Sequence, residues 1–272
     1  MHQSPIGMML TLEPTNQLAI CVVPKSSSTT WMNAFGRMNH IVNTPHETYI
    51  KVASTQFSKH ATTYEDILKL NELPQLKFMF VRHPFERVAC YFNWALTPPK
   101  NPLQPNTFTM KALQALIDYE TKFKNKPKHN AEQESWEEIT FPRFVDYIIH
   151  EISTINDNDV ISHLMAHWWP FTETCKVCLV TYDFVGHLER FDDDVKILAD
   201  KFPENSVLQK MRNSERLACK SNCKGNNLGS RYMYYYKELK RETIEKLYLV
   251  YKNDFQFGGY DYPHEYIETG IA

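Results

Sequence analysis

The feature that most constrains this chain is a short apolar run that stops on a proline and a cation and turns at once into a helix. In LAICVVPKSSSTTWMNAFGRM, Leu18 to Val23 is rich in β-branched residues and ends at Pro24, the composition of a buried parallel strand. Trp31, Met32, Phe35 and Met38 then recur at helical spacing, which predicts a helix starting inside the serine and threonine run, where good caps abound. The same order returns in LKFMFVRHPFERVACYFNWAL. Leu76 to Val81 reads as a second buried strand and Phe85 to Leu96 as a helix with Pro84 near its first turn. Again a cation, Arg82, follows the strand.

Beyond these two units, TPPKNPLQP (Thr97 to Pro105) reads as a loop, Met110 to Phe123 as a helix and KFKNKPKHNAEQES as a polar, basic connection. Helical spacing returns in FPRFVDYIIHEI, a third strand is expected at CLVTYDFVG, and the late helices fall in ERFDDDVKILADKF and KELKRETIEKLYLVYKNDF. No repeat, low-complexity tract or obvious linker divides the chain. Strands alternating with helices predict an α/β fold: a single domain with a central, mainly parallel sheet flanked by helices. With 272 residues, 43% of them hydrophobic, there is enough apolar surface for one large core. A net charge of -2 excludes coating nucleic acid by bulk positive charge, so an anionic ligand must be held by local features. No apolar window is long enough for a membrane helix, and the start MHQSPIGMMLTLEP lacks the pattern of a signal peptide. The chain as given reads as soluble.

In an open parallel sheet, ligands sit at the carboxyl ends of the strands, where both cation-bearing loops fall. A loop entering a helix offers backbone N–H groups and the positive end of the helix dipole to a phosphate or sulfate. Here Ser26 to Thr30 add hydroxyls and Lys25 adds a point charge. The P-loop of nucleoside-triphosphate enzymes needs glycines and places its lysine directly before the capping serine or threonine. This loop has no glycine and its lysine comes first, which disfavours a magnesium-dependent kinase or GTPase. Two separated cationic loops suit a ligand with phosphate-type groups at both ends. The structural alternatives are a well-capped helix beside an exposed lysine, and a surface ion-pair set of Arg82, Glu86 and Arg87.

These residues carry a resemblance. The chain resembles the carbohydrate sulfotransferases of the chondroitin 4-O-sulfotransferase and HNK-1 sulfotransferase group, through CVVPKSSSTTW, FVRHPFERVAC, AHWWPFTETCKVCLVTYDFVGHLE and the ending LYLVYKNDFQFGGYDYP. The similarity runs from about Leu18 to Pro263. It implies a P-loop-like nucleotide-binding sulfotransferase fold over residues 18–265, preceded by an extension at 1–17. It implies 3′-phosphoadenosine 5′-phosphosulfate as donor and no metal. Pro24, Lys25, Ser26, Ser27, Ser28, Thr29 and Thr30 would surround the 5′-phosphosulfate, and Arg82 to Cys90 the 3′-phosphate. Sulfuryl transfer needs electrostatic stabilisation of a departing phosphate, and Lys25 is suited to neutralise the bridging oxygen. The chain departs from the family at Cys90, where the family has a serine that donates better hydrogen bonds. It also departs at Ser28, where the family has cysteine, and at Met32 and Asn33, where basic residues are usual.

Sulfating a sugar hydroxyl requires a base titrating near neutrality. Of eleven histidines, His167 falls on a motif of the resemblance and is the first candidate; His46 and His60 precede the second strand without a motif. Glu189 matches an acidic position of the family and is expected to orient structure. An anionic glycan acceptor would call for a basic surface, for which Lys122, Lys124, Lys126, Lys128 and His129 are candidates; a solvated loop is the alternative. Four of six cysteines form close pairs, Cys175 with Cys178 and Cys219 with Cys223, open to zinc or disulfides from spacing alone. The resemblance points to disulfides in an oxidising lumen. It also implies a Golgi enzyme on a membrane anchor and stem, whereas this chain starts near the catalytic domain and has no glycosylation sequon, as in a truncated, processed or divergent soluble relative. The rival functions are a catalytically weak nucleotide- or glycan-binding relative and, less favoured, a nucleotide kinase.

Overall fold

The structure, a computed structural model, describes residues 8–13, 18–38, 58–61, 63–97, 107–154, 164–213 and 232–271. His46, Cys219, Cys223 and most of the proline-rich loop lie outside them. The strands are β1 (Met8–Glu13), β2 (Leu18–Cys21), β3 (Ser58–Ala61), β4 (Leu76–Val81) and β5 (Phe184–His187). The helices are α1 (Ser28–Met38), α2 (Tyr64–Lys69), α3 (Pro84–Ala95), α4 (Thr107–Phe123), α5 (Phe141–Thr154) and α6 (Phe171–Thr174). They continue with α7 (Phe191–Lys201), α8 (Ser206–Arg212), α9 (Met233–Tyr236), α10 (Arg241–Phe257) and α11 (His264–Thr269). No helix among the described residues is long and apolar enough to cross a membrane. The described residues gather into two compact units, one from residues 8–83 and 170–213, the other from 84–154, 164–169 and 232–271. The chain passes between them at His83 and Pro84, directly after a strand, where composition marks no linker.

The first unit is built on a sheet of order β3-β1-β2-β4-β5. β2 pairs in parallel with β4, and β4 with β5, as the alternation of strands and helices predicts. β1 runs antiparallel to both β2 and β3, so four of the five strands share one direction. The sequence reading starts the sheet at Leu18 and misses β1 and β3. It also sets the third strand too early: β5 begins at Phe184, Asp183 still donates its N–H to the Lys77 carbonyl of β4 at 2.7 Å, and residues 175–179 turn. Asn71 bonds the backbone of this stretch: its side-chain amide donates to the Leu179 carbonyl at 2.7 Å and its oxygen accepts from the Thr181 N–H at 2.8 Å. Backbone groups satisfied in this way need no strand partner.

Leu18 and Ile20 of β2 alternate with Phe78 and Phe80 of β4 onto one buried face, covered by Trp31 and Phe35 of α1, Val195 and Leu198 of α7 and Leu208 of α8. Trp31, completely buried, meets Phe78 at 4.8 Å and Phe80 at 5.1 Å between ring centroids. Truncating such an aromatic costs about 3–5 kcal/mol. A Cβ at Gly186 would lie 2.5 Å from the Phe80 ring, so β5 needs glycine there to approach β4. Cys21, at the end of β2, is disulfide-bonded to Cys175, 154 residues away in sequence, with Cα atoms 5.9 Å apart. This corrects the pairing suggested by spacing: Cys178 is exposed and carries a free thiol. It also takes Cys175 out of any four-cysteine zinc site. Among the described residues no group of three or more histidine, cysteine or acidic side chains is arranged to hold a metal.

The second unit is helical. Phe85, at the start of α3, stacks on Tyr236 at 5.1 Å and meets the edges of Phe255 and Tyr266. The tyrosines of the C-terminal segment anchor α3 by their hydroxyls: Tyr236 donates to the Phe85 carbonyl at 2.8 Å, Tyr266 to Glu86 at 2.8 Å and Tyr235 to Asn93 at 2.9 Å. Arg87 donates to the carbonyl of Trp169, and Tyr251 to that of Trp168. Arg82, Glu86 and Arg87 are therefore no surface ion-pair set; all three are buried.

The basic connection after α4 is also different from a free cationic stripe. Lys124 pairs with Asp146 at 3.2 Å, Lys126 with Glu120 at 2.8 Å, and His129 with Glu134. Arg143 of α5 grips Glu120 and Glu134 together. Burial opposes ionisation of both carboxyls, but the Arg143 hydrogen bonds and neighbouring charges hold them below the usual carboxylate range. Lys124 and Lys126 thus fasten the connection to α5 and α4, and His129 closes on Glu134 within it.

Candidate active site

After β2 the buried pair Val22 and Val23 leads into a turn over Pro24 to Ser27, and α1 begins at Ser28. The Ser26 N–H closes onto the Val23 carbonyl at 3.2 Å, while the Ser27 carbonyl accepts from Thr30 at 2.9 Å and Trp31 at 3.2 Å, starting the helix. Lys25 and Ser27 hold positive φ, 67° and 66°, which glycine adopts freely and other residues at a cost of about 1–2 kcal/mol each. This chain therefore reaches without glycine a left-handed backbone that glycine adopts freely. Such turns curl successive N–H groups into an anion-binding concavity, and strain of this kind gathers at functional sites.

Two further features leave the loop with hydrogen-bonding capacity to offer. The first-turn amides at Ser28 and Thr29 are those an α-helix leaves without intrahelical acceptors. The Ser26 hydroxyl is buried and makes no hydrogen bond among the described residues. A buried polar group without a partner costs stability unless a ligand supplies one. Ser27 Oγ donates back to the Ser26 carbonyl, Lys25 is half-buried and Thr29 is exposed.

β4 lies beside β2 in parallel, with Cys21 opposite Met79, so the loops carrying Lys25 and Arg82 leave the same end of adjacent strands. Neighbouring strands are about 4.8 Å apart, which brings both cations to one edge of the sheet. Next to Arg82, His83 is driven down to a pKa of about 3, by burial and then by the Arg82 charge, and stays neutral at physiological pH. Its backbone N–H donates to Glu189 Oε1 at 2.7 Å. Glu189 follows β5, so the exit of one parallel strand pins the exit of the next. That is the orienting role expected of this acid; its partner, a backbone amide at residue 83, left no trace in the sequence.

Cys90 and His167 belong to the second unit. Cys90 is buried in α3 with its thiol outside any disulfide. His167 sits in a ring of aromatic side chains: Phe108 at 5.0 Å, Trp94 at 5.7 Å and Tyr91 at 5.8 Å between centroids. Of these neighbours the sequence reading named none as part of a site. His60 lies in β3.

A mainly parallel sheet flanked by helices, with a lysine and an arginine following two adjacent strands, defines an α/β protein. Residues 8–262 match the model of the sulfotransferase family, nearly the whole chain, and the chain belongs to that family. Among curated proteins it is similar to carbohydrate sulfotransferase 11 of Mus musculus, 26% identical over 94% of this chain and 68% of that one. It is also similar to carbohydrate sulfotransferase 8 of Homo sapiens, 22% identical over 93% and 55%, and to carbohydrate sulfotransferase 12 of Mus musculus, 22% over 93% and 60%. No solved structure matches.

Proposed function

We propose that this sulfotransferase moves a sulfuryl group from 3′-phosphoadenosine 5′-phosphosulfate to a hydroxyl of a glycan, with a chondroitin- or dermatan-like polymer or a glycoprotein glycan as acceptor. The observation that carries the donor site is the glycine-free loop after β2, where an unpartnered buried Ser26 hydroxyl, two positive-φ residues and a helix start coincide beside Arg82. The residues fit a phosphosulfate: amides and hydroxyls of Ser26 to Thr30 for its oxygens, Lys25 for the bridging oxygen, and Arg82 for the 3′-phosphate. Cys90, standing where the family has serine, is the one weak donor in the set.

In this mechanism the acceptor oxygen forms a bond to sulfur as the bond from sulfur to the bridging phosphate oxygen breaks. The acceptor proton passes to the His167 imidazole. The negative charge gathering on the departing 3′,5′-bisphosphate is met by Lys25, a charge fixed before the reaction begins. Lys122 and Lys128 are the basic residues of the connection left over after its ion pairs, and they are proposed to face an anionic acceptor. The Cys21–Cys175 bond supports residence in an oxidising compartment, for which the Golgi lumen is the proposal.

The test is transfer from labelled donor to desulfated chondroitin, dermatan and terminal-glucuronate saccharides, with and without chelator. Transfer that survives chelation is expected. Tight binding of the donor product without transfer to any of them would favour the rival, a binding relative, for which the buried Cys90 speaks.

A further inference from the structure

Trp94 projects from α3 with 45% of its surface exposed, a costly position for the largest apolar side chain. Its indole lies nearly parallel to the His167 imidazole, the planes 18° apart and the centroids 5.7 Å. Phe108 closes against both rings, 4.7 Å from Trp94 and 5.0 Å from His167. Tyr91, buried, backs the pair at 6.2 Å and 5.8 Å. Other exposed rings also meet imidazoles, but at steep angles: Phe123 at 48° to His150 and Tyr262 at 65° to His264.

We propose that Trp94 is the stacking platform for the acceptor sugar, a positioning residue that lays the pyranose beside His167; this rests on the proposed role of His167 as base. A pyranose carries a face of axial C–H groups, polarised by its ring oxygens, that sits flat on an electron-rich indole. Its hydroxyls project from the rim, toward whatever borders the platform. Here the border is an imidazole nearly parallel to the indole and, at 5.7 Å between centroids, offset toward its edge, able to take a proton. Phe108 and Tyr91 hold the indole in place before the sugar arrives, so little conformational freedom is lost on binding. The occupant is the acceptor ring and not the donor's adenine, because the imidazole beside the platform serves an incoming hydroxyl and has no task toward a purine.

The experiment compares wild type, Trp94→Ala and Trp94→Phe, using donor, its bisphosphate product and whichever of desulfated chondroitin, dermatan or terminal-glucuronate oligosaccharides wild type sulfates fastest. Trp94→Ala is expected to raise the acceptor KM and its calorimetric Kd about ten-fold, with Trp94→Phe regaining most of the loss, as for other aromatic stacking contacts. The donor KM, the affinity for the bisphosphate and the pH profile of kcat are expected to stay as in wild type. Unchanged acceptor constants in Trp94→Ala, or a weakened donor and bisphosphate instead, would overturn the platform. The base is tested separately with His167→Gln. If that variant keeps kcat and its pH profile while Trp94→Ala still weakens the oligosaccharide, the base assignment falls and the platform stands.

Discussion

Breaking the Cys21–Cys175 bond should destabilise the protein by an amount that follows from the length of chain it closes. The two cysteines are 154 residues apart, and the loop-entropy relation gives about 5 kcal/mol at 25 °C for a closure of that size. With an unfolding entropy of about 2.1 cal/mol/K per residue over the 272-residue chain, this corresponds to a fall in Tm of about 9 °C for concerted unfolding. Reductant on wild type opens the bond without leaving a cavity. Replacing both cysteines by alanine adds a cavity cost of about 1 kcal/mol per site, since both are buried. The measurement is thermal unfolding of wild type, Cys21→Ala/Cys175→Ala and Cys178→Ala, each with and without reductant. Wild type and Cys178→Ala should both lose about 9 °C on reduction, and the double variant should start low and lack that loss. If Cys178→Ala abolishes the response, or non-reducing peptide mapping joins residue 175 to 178, the assignment is refuted.

Two other predictions concern stability. Ser27→Gly removes a left-handed strain of about 1–2 kcal/mol and adds roughly 0.5–1 kcal/mol of unfolded-state entropy, so denaturant unfolding should show a small net gain; Ser27→Val should lose more than 1 kcal/mol, roughly, and equal losses in both would contradict the φ of 66°. Glu120 and Glu134 have folded pKa values below the unfolded value of 4.5, so their stabilisation is complete above that pH and is lost as pH falls through the depressed values. Arg143→Met should cost about 3 kcal/mol at neutral pH by leaving two buried carboxylates short of their partner, and should remove that acid-side loss; an unchanged pH dependence of the urea midpoint would count against the network.

The residues that a single local pattern fixes were legible. β4 falls where its apolar run does, at Leu76–Val81, and α3 starts at Pro84, one residue from the expected Phe85. β1 is missed although Leu10 to Glu13 alternate apolar and polar between Gly7 and Pro14-Thr15-Asn16; what no local pattern supplies is its antiparallel pairing with β2 and β3. The shift of β5 to Phe184 goes with a turn closed on the Lys176 carbonyl by the N–H groups of Leu179 and Val180, and with a distant side chain, Asn71, that bonds the backbone of residues 179 and 181. The cysteine pairing misled for the same reason: Cys175 and Cys178 are neighbours in sequence, while the sheet makes Cys21 the neighbour in space. In PFER the charges of Glu86 and Arg87 suggest surface, whereas Tyr266 and the Trp169 carbonyl, far along the chain, meet them in the interior. At the site, Lys25, the hydroxyl run and Arg82 were visible as types in a loop. The left-handed backbone at Lys25 and Ser27 was not, because no glycine announces it.

The central claim is that the loop after β2 is a phosphosulfate cradle in which Lys25 carries the charge of the leaving group. It is tested most directly by the transfer rate of Lys25→Ala at saturating donor and acceptor, measured together with the affinity for the bisphosphate product. The account predicts that kcat falls by about 10²–10³-fold, the usual effect of removing a preorganised transition-state donor, while product affinity changes far less. A Lys25→Ala enzyme that turns over at the wild-type rate would contradict it.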